Sequence, residues 1–207
     1  EGLWAMNDAG WGHPLAAPGA GLVAWFQVEA SAVAADRPLP VQPFLRCAAD
    51  VLDRVGTSRL EVVQLLLPVA GIDPAARPPH SPVPAARTVH WFREGDPRAR
   101  TRVEVNVNGG RDPLLPTVVE RLAEQVGRAG EDVFAGASCE VAGPELRPAP
   151  PFDDGFWNGP PLHGVTLRGE LAEWSPDAVG WLAEVVADCT ARLGLRGPLL
   201  LTVARTG

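Results

Sequence analysis

The chain has 207 residues, 46% of them hydrophobic and 21% charged, with a formal net charge of −7 at pH 7; this is the balance of a globular protein with one sizeable core, too apolar for a disordered one. All 18 basic residues are arginine and tyrosine is absent, which removes lysine Schiff-base chemistry, a phosphate-loop lysine and phenolic acid–base catalysis. The densest basic run, residues 93–102, is interrupted by Glu94 and Asp96, so nucleic acid is not an expected partner.

In chain order, residues 21–30 read as a strand, with Leu22, Ala24, Phe26 and Val28 facing a core and Trp25, Gln27 and Glu29 facing away. Residues 42–56 place Phe44, Leu45, Ala48, Val51, Leu52 and Val55 at helical spacing, and residues 59–69 are again strand-like, giving a first β-α-β unit. Residues 68–86 hold six prolines and read as an extended surface linker. A strand over 87–94 then turns at Gly95, Asp96 and Pro97 to form a hairpin with the strand 101–108. That strand opens a second β-α-β unit, continued by a helix over 112–127 and a strand over 132–141. The third unit is a strand over 164–174, a helix over 175–194 and a strand over 198–205.

The helix limits have chemical reasons. Asp112 and Ser175 are N-caps, each followed by a proline at the first helical position. Gly56, Gly127 and Gly194 stand where a helix needs a left-handed C-terminal residue. Asp50 with Arg54, Glu124 with Arg128, and Asp188 with Arg192 are i,i+4 pairs for the outward faces. The expected fold is therefore α+β, a single domain over residues 1–207 with a mixed sheet. Three helices pack on one face of it, as three β-α-β units that include the element order of a ferredoxin-like arrangement. A division into halves at residues 85 and 86 would fall in the proline-rich linker.

Strand parity sends Trp25, His90, Arg102, Glu104, Asn106, Glu140, Arg168 and Glu170 to the sheet face without helices. His90 and Glu104, opposed across the hairpin, form the acid–base pair of an alternative reading, a small-molecule enzyme with its pocket between the sheet face and the long loop over residues 143–164 and with Arg102 or Arg168 holding an anionic substrate. The stretch PFDDGFWNGPPLHG, residues 151–164, sets Asp153, Asp154, Phe156 and Trp157 among glycines and prolines. Such a loop caps turns and covers the core with its aromatics, presents an aromatic anchor ringed by acids, or forms a lid over a small-molecule site. No histidine or cysteine spacing suggests a metal site and no G-x-G-x-x-G follows a strand, so no metal or cofactor is expected. Cys47, Cys139 and Cys189 have no C-x-x-C spacing and read as buried, reduced thiols.

With seven tryptophans and no catalytic motif, the leading expectation is a non-enzymatic cytoplasmic binding or assembly module. It would bind a protein partner or itself through Trp25, Arg102, Asn106, Asp153, Asp154, Phe156, Trp157 and Arg168. No apolar run approaches the ~18 residues of a membrane span.

Overall fold

The computed structural model describes residues 4–11, 24–29, 36–57, 59–77, 90–96, 98–130, 133–146, 149–150 and 152–206, apart from the side chains of His90 and Ala137. In chain order the elements are β1 (Ala5–Trp11), β2 (Ala24–Glu29), α1 (Val41–Val55), β3 (Val62–Leu67), α2 (His90–Glu94), β4 (Thr101–Asn108), α3 (Leu114–Thr117), α4 (Val119–Gly130), β5 (Phe134–Ala142), β6 (Gly164–Leu171), α5 (Pro176–Arg192) and β7 (Leu199–Arg205). β1 and β2 form an antiparallel ribbon of their own; the other five strands form one sheet in the order β3-β7-β4-β6-β5.

The protein is α+β as its sequence indicates, but the sheet is not mixed. Every neighbouring pair is antiparallel, because each later β-α-β unit receives a foreign strand between its own two. β6 lies between β4 and β5, and β4 lies between β6 and β7, so the two units interlock. The first unit does not share this arrangement: β2 leaves the main sheet to pair with β1, and β3 takes the edge beside β7.

The core lies where Val103, Val105 and Val107 of β4, Val165, Leu167 and Leu171 of β6, and Leu201 and Val203 of β7 meet the helices. α5 is buried without interruption from Ala178 to Ala191, as expected of a helix that is apolar on most sides. It is covered by sheet on one side and by α1 on another, so α1 packs on a helix and not on the sheet as expected. The crossing is close because Gly180 has no side chain: a Cβ there would lie 2.5 Å from Gln42 Cα. The ribbon is tied to this layer by edge-on contacts of Trp4 and Phe26 with Phe44.

Residues 90–94 are the short helix α2 and not part of a strand. β4 already has β6 and β7 on its two sides, which leaves no edge for a hairpin partner. Trp91 is buried and its neighbour Phe92 packs against the same core, which strand alternation would forbid. The proline-rich segment also departs from expectation over residues 69–77, where Val69, Ile72 and Arg77 are buried; residues 78–86 lie outside the described residues. Arg77 forms a close ion pair with Asp188 of α5, and Arg192 holds the other Asp188 oxygen at 2.8 Å. Asp188 therefore points inward and not to solvent.

The expected helix over 112–127 is two pieces. Pro116 has no N–H to give, and Val118 donates to the Leu115 carbonyl in a tight turn before α4 begins. α4 then passes through Gly127 and ends at Gly130. Gly194 does close α5, with φ +96° and the Leu195 N–H bonded to the Thr190 carbonyl. At the other end Ser175 Oγ accepts the Ala178 N–H at 3.1 Å. Replacing Ser175 with Ala should cost about 1 kcal/mol in urea denaturation, and Ser175→Asp should keep most of it; equal losses in both would mean the cap is not what fixes this helix start.

Candidate functional site

The antiparallel register lays the outer side chains in rows across the sheet. One row runs Gln64, Thr202, Asn106, Thr166, Glu140; the next runs Ala204, Glu104, Arg168, Ser138. In the first, Gln64 Nε2 donates to Thr202 Oγ1 at 3.1 Å and Asn106 Nδ2 to Thr166 Oγ1 at 3.4 Å. In the second, Arg168 stands between two acids, 2.9 Å from Glu104 and 2.6 Å from Glu140. These hydrogen bonds, Glu140 first and Glu104 next, raise the guanidinium pKa further above its ordinary value, so Arg168 is a permanent cation bound by its neighbours. Arg102 and Glu170 approach at 3.7 Å at the end of the face.

Beside these rows a concavity of about 440 Å³ is lined by Glu104, Asn106, Glu140, Thr166 and the segment 141–145, including Glu145. Asn106 Oδ1 is shielded from water and has no hydrogen-bond partner among the described residues. A buried acceptor in that state costs about 1–3 kcal/mol. Glu104, Asn106, Glu140 and Arg168 were each legible from strand parity; Glu145 was not, because it sits in an irregular segment with no period.

The remaining expected residues are placed differently. Trp25 belongs to the ribbon, where it lies over Gly10. Since the ribbon is anchored on α1, Trp25 is not on the face that carries Arg102 and Asn106. The hairpin that would have opposed His90 to Glu104 is not formed, and Glu104 is taken by Arg168. Asp153 caps a 3-10 turn over Asp154–Phe156 by accepting the Gly155 N–H at 2.8 Å. Trp157 is buried at 9% exposure while Phe156 is 56% exposed and stacks on Phe152 with centroids 5.2 Å apart. The aromatic this loop exposes is thus Phe156 and not Trp157.

The rest of that loop is a clasp. Asn158 gives its side-chain N–H to the Gly109 carbonyl and accepts from Arg111 N–H; Gly109 N–H reaches the His163 carbonyl and His163 N–H the Gly110 carbonyl. Gly110 has φ +62° and a side chain there would overlap the Asn158 carbonyl. The stretch 158–163 is fixed to the turn after β4 mostly by backbone bonds.

Other chemistry finds little support. Cys189 is buried, and burial, with the Asp188 charge second, pushes its thiol up to about 12, so it is no nucleophile at neutral pH. Cys139 is half-buried and Cys47 exposed, the latter because α1 turns Val41 and Ala48 inward and leaves Cys47 and Val51 outside. Among the described residues no three His, Cys, Asp or Glu side chains gather as metal ligands, and no helix is long and apolar enough to cross a membrane. A second concavity of about 420 Å³, between residues 73–75, Gln125 and the end of α5, is lined by Arg192 and Arg196. Both are engaged, Arg192 by Asp188 and Arg196 by the Ala191 and Leu195 carbonyls. No protein-family model, curated protein or solved structure matches the chain.

Proposed function

We propose that the chain is a non-enzymatic cytoplasmic binding module that receives a basic segment of a protein partner on the outer sheet face, in the concavity beside β5. The observation that carries this reading is the acidic rim of Glu104, Glu140 and Glu145 around the concavity, next to an Asn106 side-chain amide oxygen that has no donor among the described residues. A guanidinium or ammonium group would satisfy the amide oxygen and extend the alternation of charge that Arg168 begins. The interlocked units, in the order β7-β4-β6-β5, support a ferredoxin-like reading of the sheet, which leaves one face free of helices for such a role; fold alone assigns none.

The test is fluorescence anisotropy with a labelled hexa-arginine peptide, compared with a hexa-glutamate control. Asn106→Leu removes the acceptor without changing charge and should weaken binding about tenfold, the effect of losing a hydrogen bond to a charged donor of about 1.5 kcal/mol. Glu140→Gln should weaken it further and lower its salt dependence. Equal affinity of wild type and Asn106→Leu would show general attraction to an acidic protein and remove the site.

A further inference from the structure

α1 begins without a cap of its own. Pro40 precedes it, no local side chain accepts its first N–H groups, and its first turn carries no acid. What meets that end is α5. Asp177, Gly180 and Glu184 occupy one side of α5 at spacings of three and four residues, and all three touch the first turn of α1. Asp177 is hydrogen-bonded to the Gln42 side chain and lies 3.8 Å from Arg46. Gly180 lets the Gln42 backbone come close, and Glu184 Oε1 accepts the Gln42 N–H at 2.8 Å.

We propose that α1 is a proton-controlled latch: the carboxyl group of Glu184, enclosed at the N-terminus of α1, keeps the helix docked on α5 while protonated and loosens it once ionised. The neutral acid can still accept the Gln42 N–H through its carbonyl oxygen. The anion must sit at 7% exposure with no ion-pair partner among the described residues. Its charged surroundings are accounted for elsewhere: Arg46 of α1 faces Asp177, while Asp188, one turn further along α5, is held by Arg77 and Arg192. The Gln42 and Val41 N–H groups favour the anion, but burial outweighs them and pushes the carboxyl up to about 8.

The direction of the effect follows by linkage. Docking raises the Glu184 value, so the docked state binds a proton that the undocked state releases. Docking is strongest below the ordinary carboxylate range, weakens by up to tenfold per pH unit as pH rises towards about 8, and levels off above it. The latch is independent of the sheet-face reading, since it lies on the helical side.

Hydrogen exchange of α1 amides on the intact chain, corrected for intrinsic rates and compared with β4 amides, tests it between pH 5.5 and 9. The expected result is α1 protection that falls up to tenfold per pH unit and then flattens, with β4 unchanged and with Glu184→Gln flat throughout. Constant α1 protection, α1 and β4 falling together, or the same slope in Glu184→Gln would each overturn the proposal. Should Glu184→Gln not fold, carboxyl NMR of the wild-type chain decides. One glutamate titrating near pH 8 supports the latch, and all glutamates in the ordinary range refute it.

Discussion

Gly180→Ala should destabilise the protein by about 2 kcal/mol, against the gain of about 1 kcal/mol that alanine ordinarily brings over glycine inside a helix. The added Cβ would stand 2.5 Å from Gln42 Cα, 3.0 Å from its nitrogen and 3.2 Å from the Val41 carbonyl carbon. All three are backbone atoms of one helical turn, so no rotamer change relieves the overlap and α1 as a whole must withdraw. Withdrawal strains the Gln42 bond to Glu184 and opens the cover over Val41 and Ala48, both buried in the junction. Gly127→Ala is the matched control: it lies inside α4 with nothing within 4 Å of the new atom, and should stabilise by about 0.5–1 kcal/mol. Urea denaturation of the two variants should therefore give opposite signs. A stabilised Gly180→Ala would mean that α1 does not cross α5 at this point.

What could be read from the sequence, and what could not, divides along physical lines. β4 and β7 were legible nearly to the residue because alternation has a period of two and each strand is bounded by turn chemistry. The start of α5 was legible because Ser175 and Pro176 do local work that needs no tertiary partner. The position of α1 was not. An apolar stripe says that a helix is covered on one side but not what covers it, and the side chain that completes α1, Glu184, is 142 residues from Gln42. The strand expectation fails over residues 90–94, where Trp91 and Phe92 have strand propensity but the sheet has no free edge beside β4 to accept them; residues 87–89 lie outside the described residues. On the outer face, parity named Glu104, Glu140 and Arg168 together but could not pair them, since that requires knowing that β6 separates β4 from β5. The clasp of residues 158–163 is made mostly by backbone groups, which every sequence possesses, and so left no signature.

The buried ion pair carries the largest expected loss. Asp188→Leu should cost about 3–5 kcal/mol, because it leaves a guanidinium enclosed without its counter-charge. The Arg77 side chain is only 3% exposed, and its remaining bond among the described residues is the one its Nε gives to the Asp36 carbonyl at 3.0 Å. Arg77→Met should cost less, since Asp188 keeps Arg192 at 2.8 Å and the thioether can fill much of the vacated space. The double variant Arg77→Met with Asp188→Leu removes both charges and should recover most of the Asp188→Leu loss; Arg192, whose side chain is 42% exposed, then turns to water. Equilibrium urea unfolding of the four proteins closes a double-mutant cycle, and a coupling above about 2 kcal/mol is the expected outcome. Additive losses would show that Arg77 escapes to solvent when Asp188 is gone, and that the segment after β3 is held by Val69 and Ile72 alone. Recovery in the double variant would instead identify the pair as what fixes where that segment lies on α5, with apolar burial supplying the net stability.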